Sequence, residues 1–324
     1  MELHEVKTLI ESIRNNIGKI IVGKEDTLDL ILIALFCSGH VLLEDVPGVG
    51  KTMLSKCLAK SIKCDFKRVQ FTPDLLPSDL VGVNYFNQKQ GEFIFRAGPA
   101  FTNILLADEI NRATPRTQSS LLECMEEKQI TIDGETRELE DIFFVIATQN
   151  PVESLGTFPL PEAQLDRFFI RVKIGYPTMA EGRQILDRFE KNTNHIMLAH
   201  VCNMDSIKEA QEALDSVEVS DAVKDYIVSV VDTTRIHEKV ILGVSPRGSL
   251  ALMKASKVLA VLNERDYVIP DDIKYLASPI LAHRMVVKKQ SMAYAGITSE
   301  NIVSDILNTV SVPIEDNRYQ ISAD

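Results

Sequence analysis

The sequence contains few cysteines, no long apolar run and no excess of positive charge. Its five cysteines are odd in number and form no Cys-x-x-Cys pair, which argues against a disulfide framework or a zinc site and favours a reducing compartment. The longest unbroken apolar run, Leu30 to Cys37, is far too short to cross a bilayer. The first residues also lack the basic and then apolar layout of a signal peptide. We therefore expect a cytoplasmic protein.

Charge and length restrict the class of protein further. The formal net charge is −11, which argues against a protein whose main task is to coat nucleic acid. Hydrophobic residues make up 45% of the chain and charged residues 25%, so an ordinary globular core is expected. A chain of 324 residues is too long for one small core, and we expect two domains.

A glycine-rich turn between a strand and a helix is the most informative segment. The apolar run 41–43 precedes Asp45-Val-Pro-Gly-Val-Gly-Lys-Thr52, and apolar residues at helical spacing follow. In this context the backbone N–H groups of the turn and the helix dipole favour a bound phosphate. We expect Lys51 to reach the β- and γ-phosphates of a nucleotide and Thr52 to offer its hydroxyl to Mg²⁺. The strict pattern has glycine in place of Asp45, whose side chain we expect to face away from the triphosphate.

Two adjacent carboxylates end a later apolar strand, in Asn103-Ile-Leu-Leu-Ala-Asp-Glu-Ile-Asn111. Such a pair alone is usually a solvated strand end. Ligands of open α/β sheets, however, bind at the carboxyl ends of the parallel strands. Together with the phosphate turn, the pair predicts that Asp108 holds Mg²⁺ and that Glu109 activates the water that attacks the γ-phosphate.

Three further residues are weaker candidates. Asn150 follows the next apolar strand, where its amide could contact the γ-phosphate or the attacking water, although asparagine before proline is commonly a turn residue. Arg167 lies before the last predicted strand, and Arg247 lies in the first turn of a later helix. An arginine arriving from outside the core can neutralise charge on a transferred phosphoryl group. By residue type alone, both are surface arginines.

The alternation of short apolar strands with helices predicts an α/β fold with a parallel sheet between helices. Two segments interrupt the alternation as predicted hairpins, 83–95 and 129–139, the second around the turn Asp133-Gly134. Beyond Pro177 the pattern is helical. We therefore predict an α/β domain at 1–177, which includes two N-terminal helices, and an all-helical domain at 178–324. The predicted strands are 41–43, 66–71, 104–107, 142–147 and 168–172.

These motifs together resemble the core of AAA+ ATPases, and specifically of the MoxR family. With the helical remainder as the AAA+ lid, the resemblance covers essentially the whole chain. The stretches that carry it are Leu43-Glu-Asp-Val-Pro-Gly-Val-Gly-Lys-Thr52, Phe71-Thr-Pro-Asp-Leu-Leu-Pro-Ser-Asp79, Gly98-Pro-Ala-Phe101, Leu106-Ala-Asp-Glu-Ile-Asn-Arg-Ala113, Ala147-Thr-Gln-Asn-Pro151 and Leu160-Pro-Glu-Ala-Gln-Leu-Asp-Arg-Phe168.

The resemblance implies roles for single residues. Asp108 and Glu109 match the Walker B motif, and Asn150 matches sensor 1. Arg167 matches the arginine finger that reaches the ATP of a neighbouring subunit, and Arg247 matches sensor 2. The Walker A turn that binds ATP corresponds to Pro47, Gly48, Val49, Gly50, Lys51 and Thr52.

Further segments match family features outside the phosphate site. Val22-Gly23 resembles the segment that lines the adenine pocket. The hairpins at 83–95 and 129–139 match the helix-2 insert and the pre-sensor-1 hairpin, which face the central channel of a ring. In the second hairpin, Lys128 and Arg137 are candidates to touch a substrate.

The resemblance implies a homo-oligomeric ring, hexameric in arrangement, that hydrolyses ATP with Mg²⁺ and remodels protein clients. A partner with a von Willebrand factor A domain, and a task in complex maturation or metal-cofactor insertion, are also implied. The alternatives are the ATPase subunit of a metal chelatase, a nucleic-acid-stimulated motor, and a nucleotide-gated binding module that hardly turns over. The acidic net charge argues against the motor, and Glu109 argues against the binding module.

Overall fold

A computed structural model describes residues 1–44, 48–150, 156–190, 198–288 and 298–313. Contacts within the chain divide it into two compact units, 1–213 and 214–324. The change of sequence pattern near Pro177 therefore marks the end of the sheet, whereas the first unit continues to residue 213. The reason is packing, because the helix Met204–Ala213 contacts the two N-terminal helices.

The first unit is built on a five-stranded sheet in the order β2-β5-β8-β1-β9, with every neighbouring pair parallel. This confirms the predicted α/β class and all five predicted strands, with small differences in their ends. The strands are β1 (Val41–Glu44), β2 (Phe66–Gln70), β3 (Gly82–Asn87), β4 (Glu92–Ala97), β5 (Ile104–Asp108), β6 (Gln129–Ile132), β7 (Glu135–Glu138), β8 (Phe144–Gln149) and β9 (Ile170–Val172). The helices are α1 (Leu3–Gly18), α2 (Glu25–Phe36), α3 (Lys51–Ile62), α4 (Pro77–Val81), α5 (Pro115–Glu127), α6 (Glu162–Leu165), α7 (Met179–Glu190) and α8 (Met204–Ala213).

The central strands of this sheet carry the core of the first unit. Residues 104–107 of β5 and 144–148 of β8 are buried without alternation, as expected of strands that have helices on both faces. Each strand becomes less buried at its carboxyl end, at Asp108 and Gln149. Polar side chains can therefore face solvent at this one edge of the sheet.

Both predicted hairpins are confirmed. Strand β3 pairs with β4, and β6 pairs with β7, each pair antiparallel. Asp133 and Gly134 have φ angles of +51° and +85°, which is the left-handed backbone of a two-residue hairpin turn. The hairpins also contact each other, since the Arg137 guanidinium carbon lies 4.1 Å from the centroid of the Phe95 ring.

The second unit contains four α-helices among its described residues, and also one small sheet. Strand β10 (Val240–Leu242) pairs antiparallel with β11 (Val286–Val287), so the prediction of a purely helical domain missed this pairing. Strands of three and two residues are too short to display an alternating pattern. The helices are α9 (Asp221–Ile236), α10 (Pro246–Leu262), α11 (Pro270–Leu281) and α12 (Ser299–Thr309).

In the described parts of the chain, every helix is too short or too polar to cross a membrane.

Candidate functional site

The glycine-rich turn leads directly into helix α3. Gly48 and Gly50 have φ angles of +86° and +93°, and a Cβ atom at either position would meet no atom within 4 Å. Glycine is therefore favoured here by the left-handed backbone and not by lack of space. Residues 45–47, which include Asp45 and Pro47, lie outside the described residues.

A cleft of about 480 Å³ joins this turn to the carboxyl edge of the sheet. The start of α3 and the ends of β2, β5 and β8 all contribute to it. Seven of the residues singled out from the sequence line the cleft: Gly48, Gly50, Lys51, Thr52, Asp108, Glu109 and Asn150. Four others that line it were not foreseen: Met53, Lys56, Arg68 and Gln70.

The chemistry of the cleft suits a magnesium nucleotide. Two lysines, one arginine and the N-terminal turn of α3 present positive charge to an anion. The hydroxyl of Thr52 and the carboxylate of Asp108 offer the oxygen ligands that Mg²⁺ prefers. A cleft of this volume is also within the usual range for small-molecule sites.

Asp108 has polar partners on both of its carboxylate oxygens. Arg68 donates to Oδ2 from Nη2 at 2.7 Å and from Nε at 3.1 Å. The hydroxyl of Thr148, at the end of β8, donates to Oδ1 at 2.7 Å. Because β2, β5 and β8 are neighbours in the sheet, these three side chains meet although they are far apart in the sequence.

Glu109 is held through its side chain and its backbone. Oε2 accepts hydrogen bonds from Gln70 Nε2 at 2.8 Å and from Arg112 Nη1 at 2.9 Å. The backbone N–H of Glu109 donates to the Thr148 hydroxyl at 2.8 Å. Glu109 has a φ of +57°, a left-handed conformation that is uncommon for residues other than glycine and costs of the order of 1 kcal/mol. These hydrogen bonds fix the position of the Glu109 carboxylate immediately after the end of β5.

Asn150 is buried at the end of β8 and lines the cleft. Its backbone carbonyl accepts a hydrogen bond of 3.4 Å from Asn111 Nδ2. Asn150 therefore lines the same cleft as Asp108 and Glu109.

The structure does not bring Arg167 to the cleft of its own chain. Its Nε lies 2.9 Å from Oε2 of Glu126, and it lines a separate cavity of about 350 Å³ that also includes Glu123 and Glu127. Arg247 belongs to the second unit, in the first turn of α10, where its backbone N–H donates to the Ser245 hydroxyl at 3.2 Å.

Val22 and Gly23 lie in the loop between α1 and α2 and are not among the described residues that line the cleft. Gly23 has a φ of +65°, and a Cβ atom there would collide with the side chain of Glu181 in α7. Lys24 donates from Nζ to the carbonyl of Tyr176 at 2.9 Å. The loop is thus bound to the segment that follows the sheet.

Arg68, Gln70, Arg112 and Thr148 are polar residues around the carboxylates that sequence reasoning missed. Arg68 and Gln70 are two residues apart on β2, so both side chains lie on the same face of the strand. That spacing, at the end of a strand beside the predicted carboxylates, was the available signal. Thr148 could have been noticed as a hydroxyl residue at the end of a buried strand.

The sequence profile of the ATPase family associated with various cellular activities (AAA) matches residues 40–170, and that of the AAA lid domain matches residues 232–306. The chain is 39% identical to the chaperone MoxR1 of Mycobacterium tuberculosis over 318 residues, which cover 95% of this chain and 83% of MoxR1. It is 53% identical to the uncharacterized protein YeaC of Bacillus subtilis over 300 residues, 93% of each chain.

The fold is also similar to a solved structure. A crystal structure of a candidate ATPase from Cytophaga hutchinsonii superimposes with a TM-score of 0.89 at 38% sequence identity. The match covers 96% of each chain.

Proposed function

Since the chain belongs to the MoxR family of AAA+ ATPases, we propose that it hydrolyses ATP to ADP and phosphate and uses the energy to remodel other proteins in the cytoplasm. One observation carries the proposal. The glycine turn, Lys51, Thr52 and the carboxylates of Asp108 and Glu109 line a single cleft. A phosphate site and a general base are both needed for hydrolysis, and here they lie together.

In the proposed complex, the turn and helix α3 bind the triphosphate. Backbone N–H groups in a glycine-rich turn and in the first turn of a helix favour a bound anion. Pro47 and Val49 belong to the same turn. Lys51 contacts the β- and γ-phosphates, and Thr52 and Asp108 are the residues that would hold Mg²⁺. When bound, Mg²⁺ neutralises charge on the phosphate oxygens.

Glu109 is the proposed general base. It accepts a proton from the attacking water, and Asn150 holds that water or the γ-phosphate from the neighbouring strand end. The bonds from Gln70 and Arg112 keep the Glu109 carboxylate pointed at the cleft. We propose that Val22 and Gly23 contact the adenine, as the family resemblance implies.

Arg167 is proposed to act on the ATP of a neighbouring subunit. Its position outside its own cleft, beside Glu126, supports a role in trans. We propose a homo-oligomeric ring, hexameric in arrangement, in which Arg247 of the second unit is the sensor 2 arginine and Arg167 is the arginine finger. Such an arginine contributes about 10³- to 10⁵-fold in rate.

The family resemblance supports the proposed client and partner, and the exposed first hairpin also supports the proposed client. Phe86 and Phe93, a cross-strand pair near the end of the first hairpin, are 52% and 74% exposed, and exposed aromatic side chains can engage an unfolded segment. We propose a protein client, with a partner that contains a von Willebrand factor A domain. Complex maturation or metal-cofactor insertion is the proposed task.

The test is release of phosphate from ATP by the purified protein with Mg²⁺. The wild type should release phosphate, whereas Glu109→Gln should bind ATP and release almost none. Glu209→Gln, an exposed glutamate on α8, is the matched control and should keep full activity. A wild type that binds no ATP, or a Glu109→Gln variant that turns over normally, would contradict the proposal. Salt-dependent stimulation by DNA would instead indicate a nucleic-acid motor.

A further inference from the structure

Arg68 lies where a metal ion would need to approach Asp108. Its side chain extends from β2, the edge strand of the sheet, and donates twice to one carboxylate oxygen, Oδ2. The other oxygen, Oδ1, accepts from the Thr148 hydroxyl. Both oxygens of the proposed metal ligand are therefore engaged by protein donors.

A guanidinium and a divalent cation compete for the same oxygen. A guanidinium keeps its positive charge in proteins, so its repulsion of a metal ion is relieved only when the two move apart. The Arg68 side chain is 46% exposed whereas that of Asp108 is 15% exposed. Arg68 can consequently swing toward solvent or the phosphates, while Asp108 stays fixed.

A second contact links Arg68 to the proposed general base. Nη2 of Arg68 donates to Gln70 Oε1 at 2.9 Å, and Gln70 Nε2 donates to Glu109 at 2.8 Å. The Gln70 amide is oriented by its bond from Arg68 and its bond to Glu109. When Arg68 moves away, the Gln70 amide loses the first of these contacts.

We propose that Arg68 is a positioning residue that occupies Asp108 in the nucleotide-free protein and is displaced when Mg²⁺ arrives with the nucleotide. This inference rests on the proposed function, because it assigns Asp108 to the metal. Arg68 neutralises Asp108 while the cleft is empty of metal. With Arg68 paired to Asp108, the affinity for nucleotide depends less on Mg²⁺ than it would if Asp108 had lost Arg68.

The test measures binding and not turnover. The dissociation constant of a fluorescent, non-hydrolysable ATP analogue is determined in EDTA and in excess Mg²⁺. The constant in EDTA divided by the constant in Mg²⁺ is the factor by which the metal increases affinity. Arg68→Gln should raise this ratio about tenfold over wild type. Without its partner, Asp108 repels the triphosphate in EDTA and binds Mg²⁺ without a competitor. Arg68→Lys keeps the charge and should stay near wild type.

Two controls separate this exchange from a general change of charge. Arg112→Gln removes a cation of similar exposure, 45%, from Glu109 and not from Asp108, and should change the ratio far less. In an Asp108→Asn background, Arg68→Gln should have no further effect. Thermal melting checks that each variant is folded.

Three results would overturn the inference: an unchanged or lower ratio in Arg68→Gln, an equal rise in Arg112→Gln, or a rise that persists with Asp108→Asn. Failure of the proposed function has a different signature, because the wild type would then bind no nucleotide under either condition or would bind it and release no phosphate. If the wild type binds nothing, the assignment of Asp108 and the role of Arg68 both fall.

Discussion

The Thr148 hydroxyl donates a hydrogen bond of 2.7 Å to Oδ1 of Asp108. The same hydroxyl accepts from the backbone N–H of Glu109 at 2.8 Å. The Thr148 side chain on β8 thus fixes the side chain of Asp108, the proposed metal ligand, and the backbone of Glu109, the proposed base.

Thr148→Val keeps the shape of the side chain and removes both bonds. We expect a loss of about 1–3 kcal/mol in the free energy of unfolding, because Thr148 is fully buried and the Glu109 N–H loses its acceptor. Phosphate release should fall about tenfold or more, since misplacement of a base is costly. Thr148→Ser keeps the hydroxyl and should retain most activity. Equal turnover in Thr148→Val and wild type would contradict this account.

Lys51→Ala should weaken binding of ATP more than binding of ADP, because the ammonium is expected at the β- and γ-phosphates. Lys56 also lines the cleft, in the second turn of α3, and Lys56→Ala serves as the matched control. Calorimetric titration with both nucleotides measures the difference. A similar loss in the two variants would show that only the overall charge of the cleft matters.

Mixing two kinds of inactive subunit tests whether Arg167 of one subunit and Glu109 of its neighbour belong to the same active site. Rings of Arg167→Ala subunits alone, and of Glu109→Gln subunits alone, should each be inactive. Mixed rings should contain some sites with both residues intact and recover phosphate release. Native mass spectrometry verifies the mixing, and a mixed population without any activity would count against action in trans.

His40 should make the stability of the fold depend on pH. Its ring is buried, with Nδ1 accepting from the Val145 N–H at 3.1 Å and Nε2 bonded to the Met125 carbonyl at 3.0 Å. Burial lowers the pKa of His40 from 6.5 to about 4, opposed by the bond to Met125 and assisted by the charge of Lys128.

The depressed pKa sets the sign and the pH window. Between pH 6.5 and 4 the unfolded chain takes up a proton at this site and the folded chain does not. The free energy of unfolding therefore falls by up to about 1.4 kcal/mol for each unit by which the pH is lowered. Above pH 6.5 this contribution is fully present. Chemical denaturation at several pH values measures the slope, which should be smaller in His40→Gln. Identical slopes would remove His40 as the cause.

The strands, both hairpins and seven of the cleft residues were accessible from the sequence because each has a local signature. The runs at 104–107 and 144–147 are apolar without alternation, and Asp133-Gly134 is a strong turn dipeptide. The pairing of β10 with β11 escaped because so few residues carry it. The extent of the first unit escaped as well, since α8 contacts α1 and α2 only through the folding of the chain.

The amino-acid sequence alone determined that a glycine-rich turn precedes a helix and that two carboxylates end a strand, because both features depend on neighbouring residues and on backbone conformation. Tertiary structure alone decided that Arg68 and Thr148 reach Asp108, and that Arg167 faces Glu126 instead of its own cleft. For Asp108 and its two partners the physical reason is the parallel sheet, whose strand order and register bring together side chains about 40 residues apart.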